Sequence, residues 1–219
     1  MELDNILSKR QSIRKYTGEP VKTEDIIKII EAAHSAPSGK NIQNWHFVAI
    51  KNKEIIQKIA DAIGVKNEEI AKQMEKKDSQ KADTFRKFFR NFTLFFLNCD
   101  ILTVIYSREY KPSGYNEMTF AEYDQAEIDK LIHEKNPGMQ SLGAAIENFT
   151  LKAIDLGYGT CWLTSANYAD KEIEKCLEEE IGFKKDGYFF AAMIATGVPA
   201  DGAKSPPKKP LEEVYTIVE

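Results

Sequence analysis

Three side chains near the amino terminus could together bind a phosphate. Arg10, Ser12 and Arg14 occupy alternate positions of a short segment, with Gln11 among them. Alternate side chains of an extended chain point the same way. Guanidinium groups carry permanent charge and forked donors, and a hydroxyl adds another donor, so the trio suits an anion. Two solvated surface arginines are the commoner outcome for this pattern in isolation, so both interpretations stay open.

A second candidate is the loop at residues 36–44, which follows a predicted helix and precedes a predicted strand. Pro37, Ser38 and Gly39 are turn formers with small or locally donating side chains, so this backbone can approach a ligand closely. The Gly-Lys pair that follows is not part of a nucleotide-triphosphate loop, because that signature requires Ser or Thr where this chain has Asn41. An ordinary helix-to-strand connection explains the stretch equally well.

Two further groups are weaker candidates. Lys208 and Lys209 lie in a proline-rich stretch, where they are either a second cationic arm for a phosphate or simply solvated lysines, and the second interpretation is favoured. Cys161 could be the nucleophile of a thiol hydrolase. No histidine is placed beside it in the sequence, however, and a thiol in an apolar strand is more often inert.

Composition excludes several classes of protein. The 219 residues include 30 basic and 34 acidic ones, so the formal net charge is −4 and no global attraction for nucleic acid or an anionic membrane results. Three scattered cysteines argue against a disulfide framework and a zinc site. The amino terminus is charged at once, and no apolar run reaches membrane-spanning length. We expect one cytoplasmic domain over residues 1–219.

Periodicity places these candidates on a framework of alternating helices and strands. Helices are predicted near residues 3–9, 23–35, 52–64, 65–98, 120–133, 139–156 and 170–181, with Thr23 and Asn52 as N-caps, and strands over 45–50, 101–106, 158–164 and 188–198. This alternation around one sheet indicates an α/β or α+β class. A polar segment at about 107–136 is predicted to be a lid or a decorative insertion, and 199–219 an extended tail.

Taken together, four stretches make the chain resemble the FMN-dependent nitroreductase family over nearly its whole length. They are Arg10-x-Ser12-x-Arg14; Ala36-Pro37-Ser38-Gly39-x-Asn41-x-Gln43 followed by Trp45-x-Phe47; Gly143 through Asn148 with Leu156 through Trp162; and Lys208 through Val214. The order and the spacing both match.

The resemblance implies an α+β, three-layer fold with a central mixed, mainly antiparallel sheet flanked by helices, in a homodimer with exchanged tails. It also implies FMN at the subunit interface and hydride transfer from NADH or NADPH through the flavin to a small electron acceptor such as a nitroaromatic, quinone, flavin or activated alkene. Carried over by position, the cofactor-binding residues would be Arg10, Gln11, Ser12, Arg14, Pro37, Ser38, Gly39, Asn41, Gln43, Leu163, Thr164, Ser165, Lys208 and Lys209.

The chain departs from the family pattern at two places. Asn44 stands where a proline is common, and Thr164 and Ser165 occupy a turn that often contains glycine. The Glu122-Tyr123 pair does not have the spacing of the related iodotyrosine deiodinases. Because the same cradle would serve storage and catalysis, an FMN-binding storage or sensing module remains the alternative to an enzyme. In either case the flavin, rather than a side chain, would carry the chemistry.

Overall fold

The computed structural model describes residues 2–202 and 206–219. Its helices are α1 (Leu3–Lys9), α2 (Thr23–His34), α3 (Lys53–Glu75), α4 (Ser79–Phe88), α5 (Tyr115–Phe120), α6 (Gln125–His133), α7 (Pro137–Asp155) and α8 (Asp170–Ile181), and its strands are β1 (Trp45–Ile50), β2 (Ile101–Arg108), β3 (Gly159–Leu163) and β4 (Tyr188–Gly197). Short irregular helical turns connect α4 to β2. All four predicted strands are present.

The four strands form one sheet in the order β1-β2-β4-β3, and each neighbouring pair is antiparallel. One parallel contact adds to this sheet at the β3 edge, where Ser12 bridges Thr160. The two central strands, β2 and β4, are buried along most of their length. The mainly antiparallel sheet implied by the resemblance is therefore confirmed, and its parallel element is the Ser12–Thr160 bridge rather than a strand.

Helices cover both faces of the sheet. Side chains alternate from face to face along each strand, and because the central strands carry apolar side chains on both faces, each face needs a layer of helices. On β2, Leu102 and Val104 pack with α3 and α8, whereas Ile101 and Ile105 pack with α2 and α7. Burying each such side chain contributes about 1.5–3 kcal/mol of stability. The α+β class and the three layers follow from this arrangement.

Three predictions about helix ends met different outcomes. Asn52 caps α3 as predicted, since its Oδ1 accepts hydrogen bonds from the N–H groups of Glu54 at 2.9 Å and Ile55 at 3.4 Å. Thr23 is not a cap, because α2 already begins there. Helix α3 does not end at Gly64 but continues to Glu75, because a glycine tolerates helical geometry at a cost of about 1 kcal/mol and Phe89 packs over it.

The polar excursion and the tail are the least buried parts of the fold. Residues 107–136 contain two short helices, α5 and α6, rather than the one helix predicted near residues 120–133. Residues 206–219 are exposed throughout. None of the helices in the described ranges is both long and apolar enough to cross a lipid bilayer.

Candidate functional site

The Arg10–Arg14 segment is extended and lies along the edge of β3. The Ile13 N–H donates to the Thr160 carbonyl at 2.8 Å, and Ser12 forms the parallel bridge to the same strand. Ile13 is buried. Gln11 and Ile13 border a cavity of about 630 Å³ near the end of α7, so the alternation puts Gln11 on the face opposite Arg10, Ser12 and Arg14. By the same alternation, Arg10, Ser12 and Arg14 fall on one face of the segment and Gln11 on the other.

Arg14 is exposed at the rim of this face. Its Nη1 donates to the Ser12 carbonyl at 3.5 Å, and its Cζ lies 5.7 Å from the centre of the Phe95 ring. Burial raises the pKa of the neighbouring Cys161 thiol, although the charge of Arg14 and a hydrogen bond with Ser12 act in the opposite direction. The burial of Cys161 and its raised pKa are typical of an inert structural thiol, which argues against the thiol hydrolase.

The histidines needed by a thiol hydrolase are engaged elsewhere or lie apart from Cys161. Trp45 Nε1 donates to His34 Nδ1 at 3.4 Å, the His46 ring stacks on Phe183 at 5.3 Å, and His133 lines a different cavity. A nucleophile and its base must be within hydrogen-bonding reach. The hydrolase hypothesis is not supported by this geometry.

The loop at residues 37–43 is held in an unusual backbone conformation. Lys40, Asn41 and Gln43 have φ angles of 52°, 53° and 45°, a region where residues other than glycine are uncommon and cost of order 1–3 kcal/mol each. Ser38 Oγ accepts from the Gln43 N–H at 3.0 Å, and Gln43 Nε2 donates to Asn41 Oδ1 at 2.9 Å. These bonds hold the strained backbone and leave the side chain of Asn41 exposed.

Pro37 and Gly39 complete this loop. Pro37 is exposed, and the Gly39 N–H donates to Ser141 Oγ of α7 at 3.3 Å. Gly39 also permits a close approach, because a Cβ added there would stand 2.6 Å from Tyr110 Oη. The loop is therefore prearranged within a single chain, and the left-handed residues that shape it carry no signal in the sequence.

In the described part of the chain, the turn after β3 contains unpaired backbone donors, at the half-buried Ser165 and the buried Ala166. Leu163 is buried at the end of the strand, whereas Thr164 is exposed. The Thr164 carbonyl accepts from the Asn167 N–H at 3.1 Å. Within the ranges that the structure describes, the N–H groups of Ser165 and Ala166 donate no hydrogen bond. Such donors can stabilise negative charge on a ligand.

A cavity of about 750 Å³ opens at the same end of the sheet. Its lining includes Tyr110 and His133 of the 107–136 segment, Tyr188 and Phe189 of β4, and Asn167, which is bonded to Thr164. Analysis of the sequence missed these residues. The aromatic pair at the start of β4 is the available signal, but in the sequence it is indistinguishable from the rest of an apolar strand.

The tail residues stand apart from the other candidates. Lys208 and Lys209 are exposed, and neither forms an ion pair or a hydrogen bond within the ranges 2–202 and 206–219. The apolar side chains that follow are exposed as well; they are Leu211, Val214, Tyr215, Ile217 and Val218. A single chain therefore leaves an apolar arm without a packing surface.

Known proteins share both sequence and architecture with this chain. The model of the Nitroreductase family matches residues 7–198. The crystal structure of a BluB-like flavoprotein from Clostridium difficile 630 is 56% identical, covers both chains completely and superimposes with a TM-score of 0.97. The FMN reductase (NAD(P)H) of Bacillus subtilis strain 168 is 26% identical over 218 residues, which cover 97% of this chain and 72% of that protein.

A more distant structure has the same fold. It is a nitroreductase with bound FMN from Bacteroides fragilis NCTC 9343, which covers both chains completely with a TM-score of 0.67 and 22% identity. The family match extends from α1 to the end of β4. This chain belongs to the nitroreductase family.

Proposed function

We propose that the protein is an FMN-dependent oxidoreductase that takes a hydride from NADH or NADPH and reduces a small organic acceptor. The acceptor classes are nitroaromatics, quinones, flavins and activated alkenes. One observation carries the proposal: the extended segment that contains Arg10, Ser12 and Arg14 pairs with β3, and the turn after that strand contains the half-buried Ser165, whose N–H donates no hydrogen bond among the described residues. The similarity to a flavoprotein and to an FMN reductase supports it.

The chain's residues fit the two polar ends of FMN. Arg10 and Arg14 supply permanent positive charge and Ser12 a hydroxyl, which together match a phosphate. The backbone donor of the half-buried Ser165 in the turn after Leu163 suits the pyrimidine edge of a flavin, where negative charge accumulates on reduction. When bound, FMN supplies the redox chemistry, and the protein supplies binding and orientation.

We also propose that the site is completed by a second copy of the chain. The prearranged loop at 37–43, with Pro37, Ser38, Gly39, Asn41 and Gln43, would contact the flavin of the partner subunit. The exposed apolar tail would pack on that subunit, because a contiguous exposed apolar segment marks an interaction site. Lys208 and Lys209 would then add positive charge to the phosphate site.

The acceptor would bind in the 750 Å³ cavity beneath residues 107–136, which would act as a lid. Tyr110, Tyr188 and Phe189 give this cavity aromatic walls, and such walls suit a planar organic molecule. The cavity reaches Asn167, next to the turn proposed to hold the flavin. Cofactor and acceptor would therefore lie side by side.

The visible spectrum of the purified protein tests the cofactor, and anaerobic mixing with NADH or NADPH tests the reaction. We expect a yellow protein whose flavin absorbance is bleached by at least one donor and restored by an acceptor. A colourless protein that takes up no added FMN would overturn the proposal. A yellow protein that neither donor bleaches would favour the storage or sensing module.

We place the protein in the cytoplasm. Its cysteines, Cys99, Cys161 and Cys176, are buried free thiols, and reduced thiols are typical of that compartment. Fractionation of the source cells tests this assignment, and recovery in a secreted or membrane fraction would contradict it.

A further inference from the structure

Asn44 occupies a buried position between the strained loop and β1. Its side chain is fully inaccessible to solvent. Its Nδ2 donates two hydrogen bonds, to Ser107 Oγ at 2.8 Å and to the Gly138 carbonyl at 3.1 Å. Its own carbonyl accepts from the Arg108 N–H at 3.0 Å. One residue therefore contacts two segments that are far apart in the sequence.

The two acceptors flank the proposed lid. Ser107 is the penultimate residue of β2, and Gly138 lies in the first turn of α7. The side-chain amide of Asn44 therefore connects the two ends of the segment 108–137, one at the end of β2 and the other at the start of α7. Asn136, just before α7, has a left-handed φ of 37° and caps that helix through its Oδ1. The cap therefore fixes the direction in which the chain enters α7, in addition to its position.

Two further contacts join the strained loop to the lid. Arg108 Nη2 donates to the Ile42 carbonyl at 2.8 Å. Tyr110 packs against both Gly39 and Gly138, since an added Cβ would stand 2.6 Å from Tyr110 Oη at the first glycine and 3.2 Å from Tyr110 Cβ at the second. The loop and the two ends of the lid thus form one contact unit, with Asn44 at its buried centre.

The amide of Asn44 is a costly group to bury. Its Oδ1 has no hydrogen-bond partner within residues 2–202 and 206–219, and an unpaired buried carbonyl loses its bonds with water. An apolar side chain of similar size would avoid that loss. The contribution that only the amide can make is the pair of directed bonds from Nδ2.

We propose that Asn44 is a positioning residue that ties the strained cofactor loop to both ends of the lid, so that loop and lid hold their places together. Its consequence for catalysis rests on the proposed function, because loop and lid would contact flavin and acceptor. The tie itself is a property of the chain alone.

Limited trypsin digestion of the full-length protein, as purified, tests the tie. The lid contains exposed trypsin sites at Lys130 and Lys135. We expect Asn44→Leu, which keeps a similar branched shape but removes both donors without introducing a charge, to speed cleavage at these sites about tenfold. Ser107→Ala, which removes one acceptor, should have a smaller effect. Cleavage at the unchanged rate in both variants would overturn the proposal.

A second variant, Asn44→Ala, distinguishes the effect of losing the two hydrogen bonds from the effect of losing side-chain volume. We expect Asn44→Ala and Asn44→Leu to behave alike, because both lack the donors. If Asn44→Leu behaves like the unaltered protein and only Asn44→Ala is impaired, the residue fills space and the proposal fails. If both variants at position 44 are insoluble, Ser107→Ala provides the test: faster cleavage of the lid supports the proposal, and an unchanged rate overturns it.

A kinetic measurement tests positioning against general destabilisation. We expect Asn44→Leu to raise the FMN dissociation constant and the acceptor KM, each about tenfold, while kcat at saturation changes less than threefold. Thr103→Val is the matched control, because Thr103 is a buried β2 residue whose hydroxyl has no hydrogen-bond partner among the described residues. Equal effects in the control would overturn the proposal.

The two layers of the proposal fail separately. If the unaltered protein binds no FMN, the proposed function is wrong, and the digestion pattern still decides whether Asn44 ties the loop to the lid. If FMN binds and is reduced but digestion and KM are unchanged in the variants, the function stands and the role of Asn44 is wrong.

Discussion

Ile13 packs so closely on Gly159 that a Cβ at position 159 would stand 2.7 Å from Ile13 Cγ1. The hydrogen bond from the Ile13 N–H to the Thr160 carbonyl fixes the same contact along the chain. Through this pair the Arg10–Arg14 segment is seated against β3, and the side chains on its other face are turned outward.

We expect Gly159→Ala to unseat this segment. Overpacking of this kind typically costs about 1–3 kcal/mol, and the displaced arginines should weaken FMN binding about tenfold. Thermal unfolding without FMN and a flavin titration measure the two effects. Gly64→Ala is the matched control: its Cβ would meet Phe89 at an ordinary 3.6 Å, so the variant should gain about 0.5–1 kcal/mol of stability and keep its affinity. Equal affinity in both variants would contradict the assignment.

Arg14→Ala should release flavin from the purified protein. Hydrogen bonds to a charged group contribute about 1.5–3 kcal/mol, so we expect the FMN dissociation constant to rise by roughly 10- to 100-fold. Lys15→Ala removes an adjacent exposed charge and is the control, with an effect of less than about threefold. The ratio of flavin to protein absorbance after gel filtration reports the difference. Unchanged flavin content in Arg14→Ala would remove Arg14 from the site.

The exposed tail should be required for the dimer and for the flavin. Ile217 and Val218 are 74% and 91% exposed in the single chain, and burying each apolar side chain contributes about 1.5–3 kcal/mol. The double change Ile217→Asp with Val218→Asp should therefore weaken the dimer more than tenfold and lower flavin content with it. Light scattering during gel filtration measures the mass of the assembly, and the ratio of flavin to protein absorbance in the same peak measures the flavin content.

Val65→Asp provides the control for the tail, since Val65 is an exposed apolar residue of α3. It should remain dimeric and yellow. A flavin-loaded monomer of the unaltered protein would show that the tail and the partner's loop are not needed.

His46 should make the fold less stable in mild acid. Burial, together with the charge of Lys185, lowers the pKa of His46 below its ordinary value of 6.5. The unfolded chain therefore binds a proton more readily than the folded one, and the free energy of unfolding falls as the pH drops from above 6.5 through the folded pKa. Denaturant unfolding at pH 7.5 and 5.5 measures this fall. It should be smaller in His46→Gln, and an identical fall in both proteins would exclude His46 as the cause.

Local signals were sufficient for much of the framework. Asn52 was recognised as a cap because its side chain bonds to the next turn of the same chain, and β2 because its apolar run is buried on both faces. The predicted helix end at Gly64 is wrong, because a glycine can either end a helix or lie inside one. Here Phe89 packs over Gly64 within α3, a contact between residues distant in the sequence.

Sequence alone determined the four strands, most of the helices, and the candidate groups Arg10, Ser12 and Arg14, because periodicity and side-chain chemistry are properties of neighbouring residues. Tertiary structure decided that Asn44 joins Ser107 to Gly138, and that Tyr188 and Phe189 line a cavity with the 107–136 segment. These relationships depend on which ends of the sheet come together. Strand order sets that arrangement through contacts between distant residues, which no local pattern encodes.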